Sequence, residues 1–516
     1  MGNDISSSIS PPPFNLKDCF INGEIDLFRY RAYKNRRRRQ NLRFHRLQEL
    51  MDSRDQQQPN SKRILPKRAR RSVKKHRLLV RGTDGQLKEY TTKDTLWYQL
   101  YCSRGDLCNR LLLKFRNRFR IPHHYYKELV EEISNDEMFK RWTGKDCTGE
   151  PSSCLSLLIL GSFRYLARAF TFDDLEEATA ISRENHRQFF HVFIKYGSTT
   201  FYEKHVTIPA KNACPSEFEE LFKQAGFNGC IGSGDATHVG MLSCASWATI
   251  QHKGHKLHIP SRSYNITVSH SRQILYSTSG HPSTWNDKSI VLFDTLIRGV
   301  HDGDIHSDYE FELLEYDNNG NIVKVIYKGV WFIVDNGYLS WSCTVPPEKD
   351  PVSYKYIRFS EWLESIRKDV ECTFGILKGR FLILRYGLRL ESIELCDQIW
   401  KTCCALHNSL LHIDGLHEGW ESGEKSKWQK ELSDRNNTLP KLNFAEQRLN
   451  SQPVSEHSYL DNNGEGLSQD LFKQFEVDNK RIVRKMPLSL FMDRLVENFD
   501  IRFKNNDITW PKRIPK

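Results

Sequence analysis

Between residues 107 and 200 apolar positions recur at mixed three- and four-residue steps, Phe115, Phe119, Tyr125, Tyr126, Leu129 and Ile133 among them, which predicts helices. Leu157 to Ala169 reads as an apolar helix. Thr171 with Asp174 is a capping-box start for a short helix through Thr179, and Ser182 starts another that reaches Tyr196. Three helices with a short turn before the third predict a helix-turn-helix-like domain over 107–200. On the third helix Phe189, Phe193 and Tyr196 share one face. Arg183 and Arg187 share another, free to meet DNA. An ordinary helical bundle with two surface arginines is the competing reading.

Residues 225–413 change period. Short β-branched and aromatic runs predict strands at Tyr264–Ser269, Gln273–Thr278, Val323–Tyr327 and Val330–Val334. Helical patterns cover about 287–299, 358–378 and 392–412. This order predicts an α/β layer fold. Residues 414–516 turn polar again and predict a linker and C-terminal tail. Within them Leu488 to Phe503 forms one amphipathic helix, with Leu490, Phe491, Leu495 and Phe499 on its apolar face. The sequence does not say what that face packs against.

Charge sharpens the division. The chain carries +12 overall, yet residues 1–77 hold 20 Lys and Arg against 7 Asp and Glu, so the body is close to neutral. The runs Arg36–Arg39 and Lys62–Arg77 make the first 77 residues a basic, mostly disordered arm. Such an arm meets nucleic acid or an import receptor, and the expected location is the nucleus. Met1-Gly2 with Ser6 also fits the short myristoylation pattern. No run of 18 apolar residues is present, which excludes a membrane-spanning helix, and no apolar leader opens the chain. Thirteen scattered cysteines read as reduced thiols.

Three carboxylates stand out by placement. Asp235 lies in Gly232-Ser233-Gly234-Asp235-Ala236-Thr237-His238, where small residues let a ligand approach closely. Asp335 ends the apolar run Val330–Val334, which reads as a strand buried on both faces, and Asn336-Gly337 then turns the chain. A carboxylate at the carboxyl edge of a central strand is a common site position. Glu371 lies on a helix whose buried stripe is Trp362, Ile366, Val370, Phe374 and Leu377. The adjoining face carries Arg367, Glu371, Gly375 and Lys378. Three such acids can hold two divalent ions about 3.5–4 Å apart, and hard oxygen ligands suit Mg²⁺, with Mn²⁺ as a substitute. On spacing alone Glu361, Glu364 or Asp369 can replace Glu371. His252, His255 and His258, with Lys253 and Lys256, read as a basic hairpin touching DNA phosphates rather than as a zinc site. Cys403, Cys404, His407 and His412 read as core. His238, three residues after Asp235, is a candidate contact to a phosphate.

At these residues the chain resembles the PIF/Harbinger transposases and their domesticated relatives, over about residues 115–413. Ser233-Gly234-Asp235-Ala236-Thr237-His238 is similar to the family's first acidic motif, and Arg262–Val268 to the strand that follows. Gly280-His281-Pro282-Ser283-Thr284-Trp285-Asn286-Asp287 corresponds to its glycine-rich stretch, and Val334-Asp335-Asn336-Gly337-Tyr338 to its second acidic motif. Arg367 through Phe381 is the most specific match, and Ala405-Leu406-His407-Asn408 fits the terminal helix. Asn336 and Trp285 depart from the pattern, where serine and a small residue are common.

The resemblance implies an RNase H-like DDE catalytic core, a mixed sheet with flanking helices, behind the helix-turn-helix-like domain. It selects Glu371 over its neighbours, so that Asp235, Asp335 and Glu371 are the expected catalytic and metal-binding residues. Arg183, Arg187, His238, Lys253, Lys256, Arg367 and Lys378 are the candidate DNA contacts. The implied activity is metal-dependent cutting and joining of DNA at transposon terminal repeats. A Myb-like accessory protein and a homo-oligomer are the implied partners. A domesticated protein that binds DNA or scaffolds without cutting is the alternative.

Overall fold

The computed structural model describes residues 86–145, 152–206, 215–416 and 469–508, with the backbone of three short segments, Phe20–Ile21, Glu24–Ile25 and Leu79–Arg81. Met1–Arg77 forms a unit of its own, in which only the antiparallel pair Phe20–Ile21/Glu24–Ile25 is described. The rest of the basic arm and the Gly2 pattern lie outside the described residues. Everything below concerns the second unit.

Its helical part begins with α1 (Asn109–Phe119) and α2 (His123–Ser134). There follow α3 (Leu155–Arg168), α4 (Phe172–Thr179), α5 (Arg183–Ser198) and α6 (Thr200–His205). The start signals act as the sequence predicts. Thr171 and Asp174 close a capping box on α4, and the Ser182 hydroxyl accepts from Asn185 N on α5.

The sheet part opens with α7 (Pro215–Gln224) and β1 (Cys230–Gly240). Then come α8 (Ser246–His252), β2 (Ser261–Val268) and β3 (Ile274–Ser277). Two short helices follow, α9 (Asp287–Val291) and α10 (Thr295–Asp302). After them run β4 (Glu310–Tyr316), β5 (Ile322–Lys328), β6 (Trp331–Ile333) and β7 (Thr344–Val345). The long α11 (Tyr354–Arg380), the single turn α12 (Ile383–Tyr386) and α13 (Ile393–Leu411) complete it. The main sheet runs β7-β6-β1-β2-β3. β2 is antiparallel to both β1 and β3, while β6 is parallel to β1 and to β7.

β6 is apolar throughout because both its faces are covered. Trp331 and Ile333 enter one core, with Phe359, Leu363 and Ile366 of α11. Phe332 and Val334 enter another, with Leu296, Ile297 and Val300 of α10. A third core runs without a break from Phe115 and Phe163 through Phe193 to Tyr264, Ile266 and Trp400. The Thr402 hydroxyl of α13 donates to Ile194 O of α5, and a Cβ on Gly197 would fall 2.5 Å from Thr402. The helical part and the sheet therefore share one core rather than meeting as separate bodies.

The C-terminal segment departs from the expected tail. Residues 417–468 lie outside the described ones, but β8 (Glu476–Val477), β9 (Lys480–Ile482) and α14 (Leu488–Lys504) are folded against the sheet part. β9 pairs parallel with β5 and extends the β4–β5 hairpin. Phe499 of α14 packs against Phe227, Phe359 and Trp362 at 5.5–5.7 Å. A buried Arg481–Glu315 pair, joined by the Tyr327 hydroxyl, fixes the strand register. The apolar face of the helix was visible in the sequence. Its partner was a strand pair more than 150 residues earlier, which periodicity cannot reveal. Among the described residues no helix is long and apolar enough to cross a membrane, and the ten described cysteines are free.

Candidate nuclease site

Asp235 sits at the centre of β1, opposite Ile266 of β2. On its other side Phe332 pairs with Gly232 and Ile333 with Ser233. Extended two residues past β6, that parallel register sets Asp335 level with Asp235. Each aspartate is fixed through one oxygen: Ala236 N donates to Asp235 Oδ1 and Gly337 N to Asp335 Oδ1, both at 2.7 Å. Gly337 is required here by space. A Cβ would lie 2.9 Å from Asp335 Oδ1 and 3.0 Å from Asp287 Oδ2.

Asp287 is thus a third carboxylate at the same edge, at the start of α9, where Asn286 caps the helix. The sequence motif contained it but gave it no role. Its only signal there was its place just after a cap residue and a turn. Burial raises its pKa, Asp335 adds to that, and Lys256 opposes it. Asp235 is pushed up to about 6, first by burial and then by Asp335 and Asp287, against the lowering effect of Ala236 N and Arg367. Beneath them Tyr338 is buried and its hydroxyl donates to Asn265 Oδ1. Asn265 in turn donates 2.7 Å to Asp294, whose other oxygen caps α10. This polar floor carries its own buried acid, also raised to about 6 by burial.

Glu371 comes from the opposite side, on α11, with its side chain 47% exposed. Arg367, one turn earlier, reaches both acids: Nη2 is 2.9 Å from Glu371 Oε1 and Nη1 is 3.4 Å from Asp235 Oδ2. The neighbours that spacing alone left open are placed elsewhere. Asp369 is buried and bonded to His270, and Glu361 and Glu364 are exposed. Lys378, two turns beyond Glu371, donates to Thr237 Oγ1 at 2.6 Å and His238 O at 3.0 Å. Burial brings its pKa down to about 8. His238 is brought down to about 4 by burial, with Lys256 and Lys378 adding to the effect, so at neutral pH it is an uncharged ring.

Of the remaining candidates, Lys256 is near enough to act on Asp287 and His238, while the α5 arginines lie apart from this cluster. Arg183 and Arg187 are exposed at the start of α5 but already engaged, Arg183 at 3.9 Å from Asp173 and Arg187 at 2.6 Å from Glu184. The expected basic hairpin at 251–258 is not a hairpin. His252 ends α8 and is buried, its Nδ1 against Ala248 O, while Lys253, His255, Lys256 and His258 follow as an exposed turn. Four residues of helical phase after Ala248 bury His252, which the even histidine spacing concealed. His407, with Cys403 and Cys404, is core as expected, its Nε2 against Arg272 O, whereas His412, just past the end of α13, is exposed rather than core.

The donor set tests well for a hard divalent ion in charge and chemistry: three partly buried carboxylates at one sheet edge, two of them, Asp235 and Asp287, raised first by burial and then by acidic neighbours. Among the described residues no three Asp, Glu, His or Cys side chains stand close enough as they are to form a metal site. Arg367 occupies the gap between Asp235 and Glu371.

Residues 239–408 match the family model of the DDE superfamily endonucleases. The match begins four residues after Asp235 and includes Asp287, Asp335, Arg367, Glu371 and Lys378. This third of the chain is therefore similar to a transposase-type nuclease domain, and divalent metals and a DNA substrate are the norm for that superfamily. No curated protein and no solved structure matches the chain.

Proposed function

We propose that the protein is a metal-dependent DNA endonuclease of transposase type, with Asp235, Asp335 and Glu371 as metal-binding and catalytic residues. The carrying observation is that Asp235 lies on β1 and Asp335 two residues past the parallel strand β6 paired with it, while Arg367 contacts both Asp235 and Glu371. The strand order β7-β6-β1-β2-β3, with β2 alone reversed against its neighbours, supports an RNase H-like core. The reading extends to cutting and joining at transposon terminal repeats by a Harbinger-type enzyme in the nucleus, with a Myb-like accessory protein and self-association. Arg183 and Arg187 on the helix-turn-helix-like α4–α5 unit would then read the repeats.

In this scheme Asp235, Asp335 and Glu371 would hold Mg²⁺, or Mn²⁺ in its place. The bound ion would supply charge neutralisation at the attacking and leaving oxygens. Arg367 and Lys378 hold cationic donors on the same helix face as Glu371, where a scissile phosphate would be oriented. The Asn265–Tyr338–Asp294 floor keeps the strand ends in register under the acids. Uncharged His238 can give or take a hydrogen bond there but brings no positive charge.

One observation favours the second reading, a DNA-binding protein that does not cut: the Arg367 guanidinium lies between Asp235 and Glu371. The test is cleavage of a supercoiled plasmid and of duplexes carrying the flanking repeats, with Mg²⁺ or Mn²⁺. The wild type should cut, Glu371→Gln should lose at least 100-fold, and exposed Glu364→Gln should cut normally. Binding without cutting by the wild type would establish the second reading instead.

A further inference from the structure

Arg120 is a buried cation without an anion. It caps α1 in the left-handed conformation, φ 63°, and only 2% of its surface is exposed. Its side chain makes no hydrogen bond or ion pair with the described residues, and Nε is buried without an acceptor. The charged groups that act on it are Arg168, Arg380 and Arg164, and they lower its pKa to about 10 after burial itself. Arg164 is likewise held down, first by burial and then by Arg168 and Arg118. Six guanidiniums gather here, from Arg116, Arg118, Arg120, Arg164, Arg168 and Arg380. The acid bonded within the group is Asp414, which is buried and takes both Arg116 and Arg380.

Part of the cluster has a structural duty. Arg168 donates 2.7 Å to Asn117 O, Arg164 3.0 Å to Arg118 O, and Arg380 3.3 Å to Arg120 O, so three arginines close the carbonyl end of α1. That duty does not use the Arg120 side chain. A buried charge without a counter-charge is strongly unfavourable, and an anionic ligand would supply the missing charge. Guanidinium forks match phosphate oxygens in geometry as well as charge.

The position fits the nuclease reading. Arg168 acts on Tyr386, the exposed last residue of α12. Two residues on, Leu388 N donates to Gly240 O at the end of β1. Asp235 is five residues back along that strand, about 17 Å at strand rise.

We propose that Arg118, Arg120, Arg164 and Arg168 form a binding site for the phosphates of a DNA duplex that flanks the position to be cut. The inference rests on the nuclease reading for its choice of DNA as the occupant. Arg120 is the counter-charge the flank completes, and Arg164 and Arg168 stand half-buried beside it to receive the neighbouring phosphates.

The test uses the full chain and a random-sequence 30-base-pair duplex, followed by fluorescence anisotropy at several salt concentrations without divalent ions. The variants are Arg120→Gln and the paired Arg164→Gln/Arg168→Gln, with exposed Glu364→Gln alongside. Each phosphate that the protein no longer neutralises should flatten the log K versus log salt slope by about 0.9. Arg120→Gln should bind at least 5-fold more weakly, the pair at least 10-fold, and exposed Glu364→Gln should keep the wild-type slope. Sulfate at matched ionic strength should raise the melting temperature of the wild type more than chloride, and Arg120→Gln should lose that difference while melting no lower than the wild type in chloride. Wild-type affinity and slope in both arginine variants, with a lowered melting temperature, would make the cluster purely structural and overturn the proposal. A wild type that binds with the full slope but never cuts would instead overturn the nuclease reading and leave the phosphate site standing.

Discussion

Arg367 and Asp235 face each other across the boundary between α11 and β1, Nη1 to Oδ2 at 3.4 Å, and the same guanidinium holds Glu371 at 2.9 Å. One cation thus tethers two carboxylates from elements 132 and 4 residues away in sequence. Partly buried acids repel one another, and the guanidinium offsets that repulsion on one side only. Burial, with Asp335 and Asp287 adding from the other side, pushes the Asp235 carboxyl up to about 6 despite the nearby arginine.

A pH dependence follows with a definite sign. The folded pKa of Asp235 is raised above its unfolded value near 4, so its contribution favours folding below pH 4. That contribution is lost as pH rises through 6. Asp235→Asn cannot ionise and escapes the loss. Relative to the wild type it should gain roughly 3 kcal/mol in metal-free denaturant titrations between pH 4 and pH 8. A difference that stays constant across this range would mean that Asp235 ionises freely. Divalent ions added at pH 8 should stabilise the wild type and leave Asp235→Asn nearly unchanged.

Gly337 tests whether Asp335 and Asp287 work as neighbours. Alanine there brings a methyl group within about 3 Å of both carboxylates. The side chains can swing away, so the fold should lose only about 1–2 kcal/mol. Metal-dependent cutting should fall at least 10-fold, because the oxygens are displaced. Full activity in Gly337→Ala, with normal melting, would show that the spacing of these two acids does not matter.

How far the sequence foretold this site depends on range. The local rules worked well. The Thr171–Asp174 capping box, the Ser182 start and the apolar β6 run all lie where periodicity and cap chemistry put them. Asp335 was legible because a charge at the end of an all-apolar strand has few places to go. β1 was harder, since Gly232, Ser233, Gly234 and Ala236 have no strand propensity, and pairing on both sides makes the strand. Asp287 and the bridging role of Arg367 were not legible, because they depend on how α9 and α11 meet the sheet. The unpaired state of Arg120 was equally hidden, since three of its neighbours come from α3 and the end of α11.

The arginines of α5 make a separate prediction. Arg183→Ala with Arg187→Ala should weaken binding to the terminal repeats by ~1–3 kcal/mol while leaving melting within about 0.5 kcal/mol of wild type. Both residues are exposed, and their acid partners Asp173 and Glu184 are exposed too, so the lost pairs matter little to stability. An unchanged ratio of specific to random-sequence affinity would remove the recognition role from this helix end and leave it an ordinary bundle surface.

Phe499 carries the last prediction, which concerns the C-terminal helix. Its ring stacks on Phe227 at 5.5 Å, meets Phe359 and Trp362 edge-on at 5.7 Å, and closes on Gly226, where a Cβ would come within 2.9 Å. Phe227 leads directly into β1, and Phe359 and Trp362 sit on α11 above Arg367 and Glu371. The helix therefore braces both elements that carry the acids, from the side away from them. Phe499→Ala empties a fully buried position and should cost about 3–5 kcal/mol in denaturant titrations. Below its lowered melting temperature the variant should also cut more slowly, because β1 and α11 lose their common support. Exposed Val477→Ala is the control and should change neither. Deleting 469–516 should expose Trp331, Phe359 and Leu363 and yield a protein that binds a hydrophobic dye and aggregates. A truncated chain that stays monomeric with wild-type melting and cutting would show that this segment is an appendage rather than part of the nuclease core.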